Sequence, residues 1–147
     1  MIISLFLVSS FAIADNQVKI LILGDSLTQG YGLEEKSGLV PVLQRWLSSN
    51  ETEVLLINGG VSGDTTLGGL ERLDWLLTPD IDGVVVALGG NDLLRGFDPE
   101  FTKNNLDKIF MKLKSKGISA AVVGTISPLN YGSEFKKEFD DIFPALA

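Results

Sequence analysis

The chain has 147 residues, enough for one compact domain, and its 45% hydrophobic and 21% charged content is that of a folded protein. A surplus of 19 acids over 12 bases gives a net charge of −7, which repels nucleic-acid phosphates and anionic lipid. There is no cysteine and no histidine, so disulfides, thiolate zinc sites, a cysteine nucleophile and any imidazole base or ligand are excluded.

Residues Ile2 to Ile13 are almost all apolar or small, and Ala12-Ile13-Ala14 has the small-x-small form cut by signal peptidase. The run is shorter than the ~20 residues needed to cross a bilayer, so no stable membrane insertion is expected. Residues 1–14 are expected to be a signal peptide, although no Lys or Arg precedes the apolar run, and 15–147 one domain of a periplasmic or secreted protein. A first strand or a buried helix is the competing assignment.

Val18 to Leu23 is an apolar, β-rich run stopped by Gly24, the pattern of a buried strand. Leu39, Val42, Leu43, Trp46 and Leu47 recur at helical spacing, predicting a helix from about Ser37 to Ser49. Val54 to Ile57 predicts a second strand, ending at Asn58-Gly59-Gly60. Leu67, Leu70, Leu73, Leu76 and Leu77 form the next helical stripe, with Asp64 or Thr65 as its cap. Val84 to Leu88 is a third strand. Asp98-Pro99-Glu100 then supplies a cap, a first-turn proline and a first-turn acid for a helix that stops at Gly117. Ile118 to Val123 is a fourth strand, and Phe135, Phe139, Ile142 and Phe143 mark a last helix running into Pro144. Repeated strand–helix units with uniformly apolar strands predict an α/β fold with a parallel sheet and helices on both faces. Ligands of such sheets bind beyond the carboxyl ends of the strands.

Three of those ends carry polar chemistry: Gly24-Asp25-Ser26-Leu27-Thr28-Gln29-Gly30, Gly60-Val61-Ser62-Gly63-Asp64-Thr65-Thr66 and Gly89-Gly90-Asn91-Asp92. Acyl transfer needs a hydroxyl nucleophile and fixed donors where the carbonyl oxygen becomes negative. Ser26, opening a helix or a tight turn, offers the hydroxyl and its backbone N–H. Gly63 lacks a side chain, so its N–H can approach a substrate closely, and Asn91 carries an amide for the same oxygen. Each also has a plain structural role available, as a capped turn, a turn glycine or an Asx turn. The G-x-S-x-G elbow fails because Thr28 stands at the second glycine. No P-loop or dinucleotide fingerprint is present. An aspartyl-phosphate nucleophile at Asp25 would have Leu27 where a second acid belongs. No oxygen-ligand spacing for a metal stands out, so neither metal nor cofactor is expected.

Gly24-Asp25-Ser26-Leu27, Ser62-Gly63-Asp64-Thr65 and Gly90-Asn91-Asp92 resemble the first three sequence blocks of the GDSL or SGNH hydrolases. The longer strings GDSLTQGYGL, SGDTT, LGGNDLLRGF and NYG are most similar to the periplasmic multifunctional thioesterase, arylesterase and lysophospholipase branch of that family, and the likeness runs from Val18 to the end. The resemblance implies a flavodoxin-like three-layer α/β/α sandwich (the SGNH hydrolase fold) and a serine esterase acting on small-molecule esters or thioesters. Ser26 would be nucleophile and oxyanion donor, Gly63 and Asn91 the other donors, and Asp25 a structural residue. Asn130 and Tyr131, within Pro128-Leu129-Asn130-Tyr131-Gly132, would lie beside the acyl pocket.

The family's fourth block, Asp-x-x-His, has no counterpart before Ala147. The expectation is a C-terminally shortened esterase lacking its last strand and its proton-transfer residues, with little turnover, marginal stability and an exposed edge at the fourth strand. The alternatives are a carbohydrate O-deacetylase of the same family and a non-catalytic acyl- or sugar-binding module.

Overall fold

The structure, a computed structural model, describes residues 17–146; the segment expected to be a signal peptide, residues 1–14, lies outside them. Four parallel strands, β1 (Val18–Gly24), β2 (Val54–Gly60), β3 (Gly83–Ala87) and β4 (Ser119–Val122), form one sheet in the order β2-β1-β3-β4. Around it run α1 (Ser26–Gln29), α2 (Leu39–Ser49), α3 (Thr66–Leu76), α4 (Gly90–Leu94), α5 (Pro99–Ser115) and α6 (Ser133–Leu146).

From β1 the chain moves outward to β2, then crosses back to β3 and on to β4. Right-handed crossovers travelling in opposite directions place α2 on one face and α3 and α5 on the other. The α/β fold implied by the sequence is therefore present, and its layers are unequal. Leu21 and Leu23 of β1 register with Val84 and Val86 of β3, and all four are buried with Leu73, Leu106, Ile109, Leu113, Phe139, Ile142 and Phe143 of α3, α5 and α6. The opposite layer is thinner. Of the stripe that predicts α2, Leu39, Val42, Leu43 and Trp46 stay 37% to 61% exposed and Leu47 is half-buried, and Val40 is the helix's one buried residue. The cause is position: α2 packs on β2, at the border of the sheet.

The first part of that border is covered by one side chain. The Gln44 amide donates to Val54 O (2.8 Å) and accepts from Leu56 N (2.7 Å), occupying backbone groups on the outward side of β2. At the other border Ser119, Ala120 and Ala121 of β4 are exposed.

Several boundaries differ from the sequence expectation. β2 continues through Asn58-Gly59-Gly60 because these residues pair with Ile22-Leu23-Gly24 of β1. α2 begins at Leu39 because Glu35–Ser37 forms a 3₁₀ turn. α6 carries Pro144 inside its last turn and continues to Leu146. Among the described residues no helix is long and apolar enough to cross a membrane.

Candidate active site

The direction of chain travel reverses between β1 and β3, and in open α/β sheets the crevice at such a switch point is where ligands bind. Ser26 follows β1, Asn91 follows β3, and Gly63 follows β2 on the other side of β1.

Ser26 is half-buried and opens α1, whose cap is Asp25: its carboxylate accepts from Leu27 N at 3.0 Å. The four-residue helix lies directly on the end of β2. A Cβ at Gly60 would run into the backbone of Gln29 and Thr28, so only glycine lets α1 come this near. Among the described residues no hydrogen bond engages the Ser26 hydroxyl or its backbone N–H.

Beyond β2, Asp64 N donates to Val61 O (3.1 Å) and closes the four-residue turn Val61–Asp64. Gly63 takes its third position at φ +83°, the left-handed setting that a type II turn demands and glycine adopts without strain. The turn is held from all sides. Val61 N donates to Gly24 O (3.1 Å), Ser62 N to Gln29 Oε1 (2.8 Å), Arg95 Nη2 to Gly63 O (2.8 Å) and Asn91 Nδ2 to Asp64 O (2.8 Å). Arg72 pairs with the Asp64 carboxylate at 2.5 Å and donates to Gly24 O at 3.0 Å. The Gly63 N–H has no acceptor among the described residues.

Asn91, half-buried in α4, directs its amide hydrogens to Asp64 O (2.8 Å) and Asp25 Oδ2 (3.3 Å). The second is long for a hydrogen bond to a carboxylate and is the weaker of the two. One side chain thus ties together the residue before Ser26 and the residue after Gly63. Asp25 supports α1 and Asn91 at once, the structural role the resemblance implies for it. Beneath the three segments Asp92 is fully buried, accepting from Thr66 N (2.9 Å) and Thr66 Oγ1 (2.5 Å), while Asn105 Nδ2 donates to Thr66 Oγ1 (3.2 Å). This cluster joins α3, α4 and α5 under the site.

The two residues expected beside an acyl pocket fall on a 3₁₀ turn, Leu129–Tyr131, after β4. The Tyr131 hydroxyl makes a long contact of 3.5 Å to Leu94 O, and its ring packs on Phe135 with centroids 4.9 Å apart. Tyr131 therefore bridges to the segment that follows Asn91. Asn130 is exposed and makes no hydrogen bond to Ser26, Gly63 or Asn91. The turn is anchored behind: Ser127 N donates to Asp140 Oδ1 (2.7 Å), and Lys136 Nζ donates to Ser127 O and Asp140 Oδ2, each at 2.6 Å. The Lys136 ammonium, with help from the Ser127 N–H, holds the Asp140 carboxyl below its ordinary pKa.

A cavity of about 870 Å³ lies next to this centre, beneath the β1–α2 connection, lined by Gln29, Leu33, Val40, Gln44, Leu55 and Asn58 among others. Ser26, Gly63 and Asn91 do not line it. Among the described residues no group of three His, Cys, Asp or Glu side chains is placed to hold a metal ion.

Sequence reasoning did not single out Gln29, Arg72, Arg95 or the Asp92 cluster. A signal was present for two of them: Gln29 lies three residues after Ser26 and Arg95 four after Asn91, one helical turn onward on the same face.

Residues 22–146 match the family model described as GDSL-like lipase/acylhydrolase. An arylesterase of Vibrio mimicus is 41% identical over 132 residues, covering 88% of this chain and 65% of its own length. The protein of Escherichia coli K12 named thioesterase 1/protease 1/lysophospholipase L1 is 37% identical over 130 residues, 87% of this chain and 61% of its own. The crystal structure of AlinE4, an SGNH-hydrolase family esterase, superposes with a TM-score of 0.86 at 41% identity, covering 89% of this chain and 71% of that one. The chain thus spans less than two thirds of the length of the curated relatives it matches.

Proposed function

The chain belongs to the GDSL-like lipase/acylhydrolase family, and on that premise we propose that it is built for serine-dependent hydrolysis of carboxylic esters or thioesters. In this reading the Ser26 hydroxyl oxygen attacks the acyl carbon and loses its proton. The bond from that carbon to the alcohol oxygen or thiol sulfur breaks, and the leaving group takes up a proton. Water then cleaves the Ser26 ester and releases the carboxylic acid, restoring the hydroxyl. The negative oxygen of each tetrahedral intermediate is met by the N–H groups of Ser26 and Gly63. The Asn91 amide joins them by exchanging its long contact to Asp25 for the substrate.

One observation carries the proposal. In a turn tied to the serine's helix through Gln29 and to Asn91 through Asp64 O, the Gly63 N–H has no acceptor among the described residues. An N–H held in a fixed turn with no protein acceptor, on a loop tied to the serine's own helix, supports a site for an anionic oxygen.

The 147 residues hold no histidine to receive the serine proton. With water as the acceptor the expected turnover of p-nitrophenyl esters is barely above background. The test is therefore covalent: prolonged exposure to excess alkyl fluorophosphonate, then peptide mapping by mass spectrometry. The adduct is expected on Ser26 and is lost in Ser26→Ala; an adduct confined to other residues overturns the reading. The apolar start at Ile2–Ile13 supports export to the periplasm or beyond. Expression in a bacterial host should then yield a mature chain beginning at Asp15, read by N-terminal sequencing.

A further inference from the structure

We propose that Gln29 and Arg95 are positioning residues that clamp the Val61–Asp64 turn from both sides and so hold the Gly63 N–H at the place where the substrate oxygen becomes negative. The inference rests on the hydrolase reading above and adds to it the two side chains that set the oxyanion donor's position.

The argument is an accounting of peptide planes. The plane between Val61 and Ser62 is pinned through Ser62 N, which donates to Gln29 Oε1 at 2.8 Å. The plane between Gly63 and Asp64 is pinned through Gly63 O, which accepts from Arg95 Nη2 at 2.8 Å. The plane between them, Ser62–Gly63, carries the unspent N–H and is the central peptide of the turn. With both flanking planes held, its remaining freedom is rotation about the line joining the two Cα atoms, and the φ of +83° at Gly63 marks one of its two settings. Without the clamps the two ends of the turn stay tied through Val61 N and Asp64, but its middle, half-exposed at a strand end, loses both of the ties that fix the planes beside Gly63 N–H. A donor displaced by about 1 Å is enough to cost up to about 100-fold in rate.

The clamps also set the three chemical groups relative to one another. Gln29 belongs to α1, which opens with Ser26. Arg95 ends α4, which carries Asn91. Each short helix therefore contributes one reacting or stabilising group and, one turn later, one tie to the loop bearing the third. Arg95 has no carboxylate partner among the described residues, whereas Arg72 pairs with Asp64. The guanidinium's one hydrogen bond among the described residues is to the Gly63 carbonyl.

The experiment compares the full chain with Gln29→Ala, Gln29→Glu, Arg95→Ala, Arg95→Lys and the double alanine variant. Two readouts are taken: the rate of Ser26 phosphonylation as a function of probe concentration, and the backbone heteronuclear NOE of Gly63. Thermal melts check that each variant is folded. Each alanine variant is expected to lower the limiting rate about tenfold, with the half-saturating concentration changed by less than about twofold. Gln29→Glu restores most of the rate because a carboxylate oxygen still accepts from Ser62 N, and Arg95→Lys restores part. The Gly63 NOE falls in both alanine variants and furthest in the double. Unchanged rates in the alanine variants overturn the proposal, as does a weakened half-saturation with an intact limiting rate, which would make Arg95 a substrate contact. If wild-type Ser26 takes no label, the hydrolase reading fails by itself. The NOE then still decides the clamp, and a Gly63 that stays rigid in the double variant sinks it.

Discussion

The carboxyl ends of β1, β2 and β3 and the β4 side of the molecule are held by different forces. At the strand ends most backbone groups of the Val61–Asp64 turn meet a named partner, and Gln29, Asn91, Arg72 and Arg95 reach it from other elements. On the β4 side apolar packing of α5 and the rings of α6 does the holding: Phe139 is fully buried, stacked on Phe135 at 6.0 Å and edge-on to Phe143 at 5.7 Å between centroids, while the strand itself is largely open to solvent. Directional polar ties fix positions, whereas apolar packing supplies cohesion with little positional demand. The proposed chemistry sits in the region built for position.

This contrast can be broken from either side. Phe139→Ala should have the largest effect, a loss of about 3–5 kcal/mol in a denaturant melt; a loss under about 1 kcal/mol would mean that α6 does not carry the β4 side. Gly63→Ala places a Cβ on a φ of +83° and displaces the turn. Ser26 phosphonylation should slow by about 100-fold, the cost of one lost oxyanion donor, with a much smaller change in melting temperature than for Phe139→Ala. Asp92→Ala leaves Thr66 N and Thr66 Oγ1 without their buried acceptor, a loss of about 2 kcal/mol by the same melt. Ala121→Lys on the open strand should alter stability by less than about 0.5 kcal/mol and reduce self-association in size-exclusion chromatography at high protein concentration.

The smallest effect is set by pH. The Asp140 carboxyl is held low by Lys136 and Ser127 N–H, so its contribution is fully present above the ordinary carboxylate pKa and is lost as pH falls through the lowered folded value. The protection of the Ser127 amide, taken relative to its intrinsic exchange rate at each pH, should therefore fall in acid. Asp140→Asn should remove that dependence, and an acid-independent Ser127 amide in the wild type would show that the tie contributes nothing.

The four strands, the four long helices and the three polar segments were legible because apolar periodicity and strand-end glycines are local signals. The serine segment was open between helix and turn, and the Asn91 segment between an Asx turn and a site. α1 and α4 have four and five residues, too few for periodicity to register; the Asp25 cap and the backbone at Gly89 start them. The run of β2 through Gly59 and Gly60 was hidden for the opposite reason. Glycines signal a break in sequence, yet here they let β1 and α1 come close. The clamps were illegible as contacts because they join residues 33 and 32 positions apart. The exposure of the α2 stripe was equally hidden, since helical spacing says which residues share a face and not what that face meets.

The Gln44 amide seated on Val54 and Leu56 has a consequence for how copies of this chain would meet. A sheet that lengthens by adding neighbours needs two receptive borders, and here one is already occupied by the molecule's own carboxamide. Strand addition at the β2 border would first have to displace that carboxamide, whereas β4 offers its backbone directly, so pairing between copies is favoured at β4.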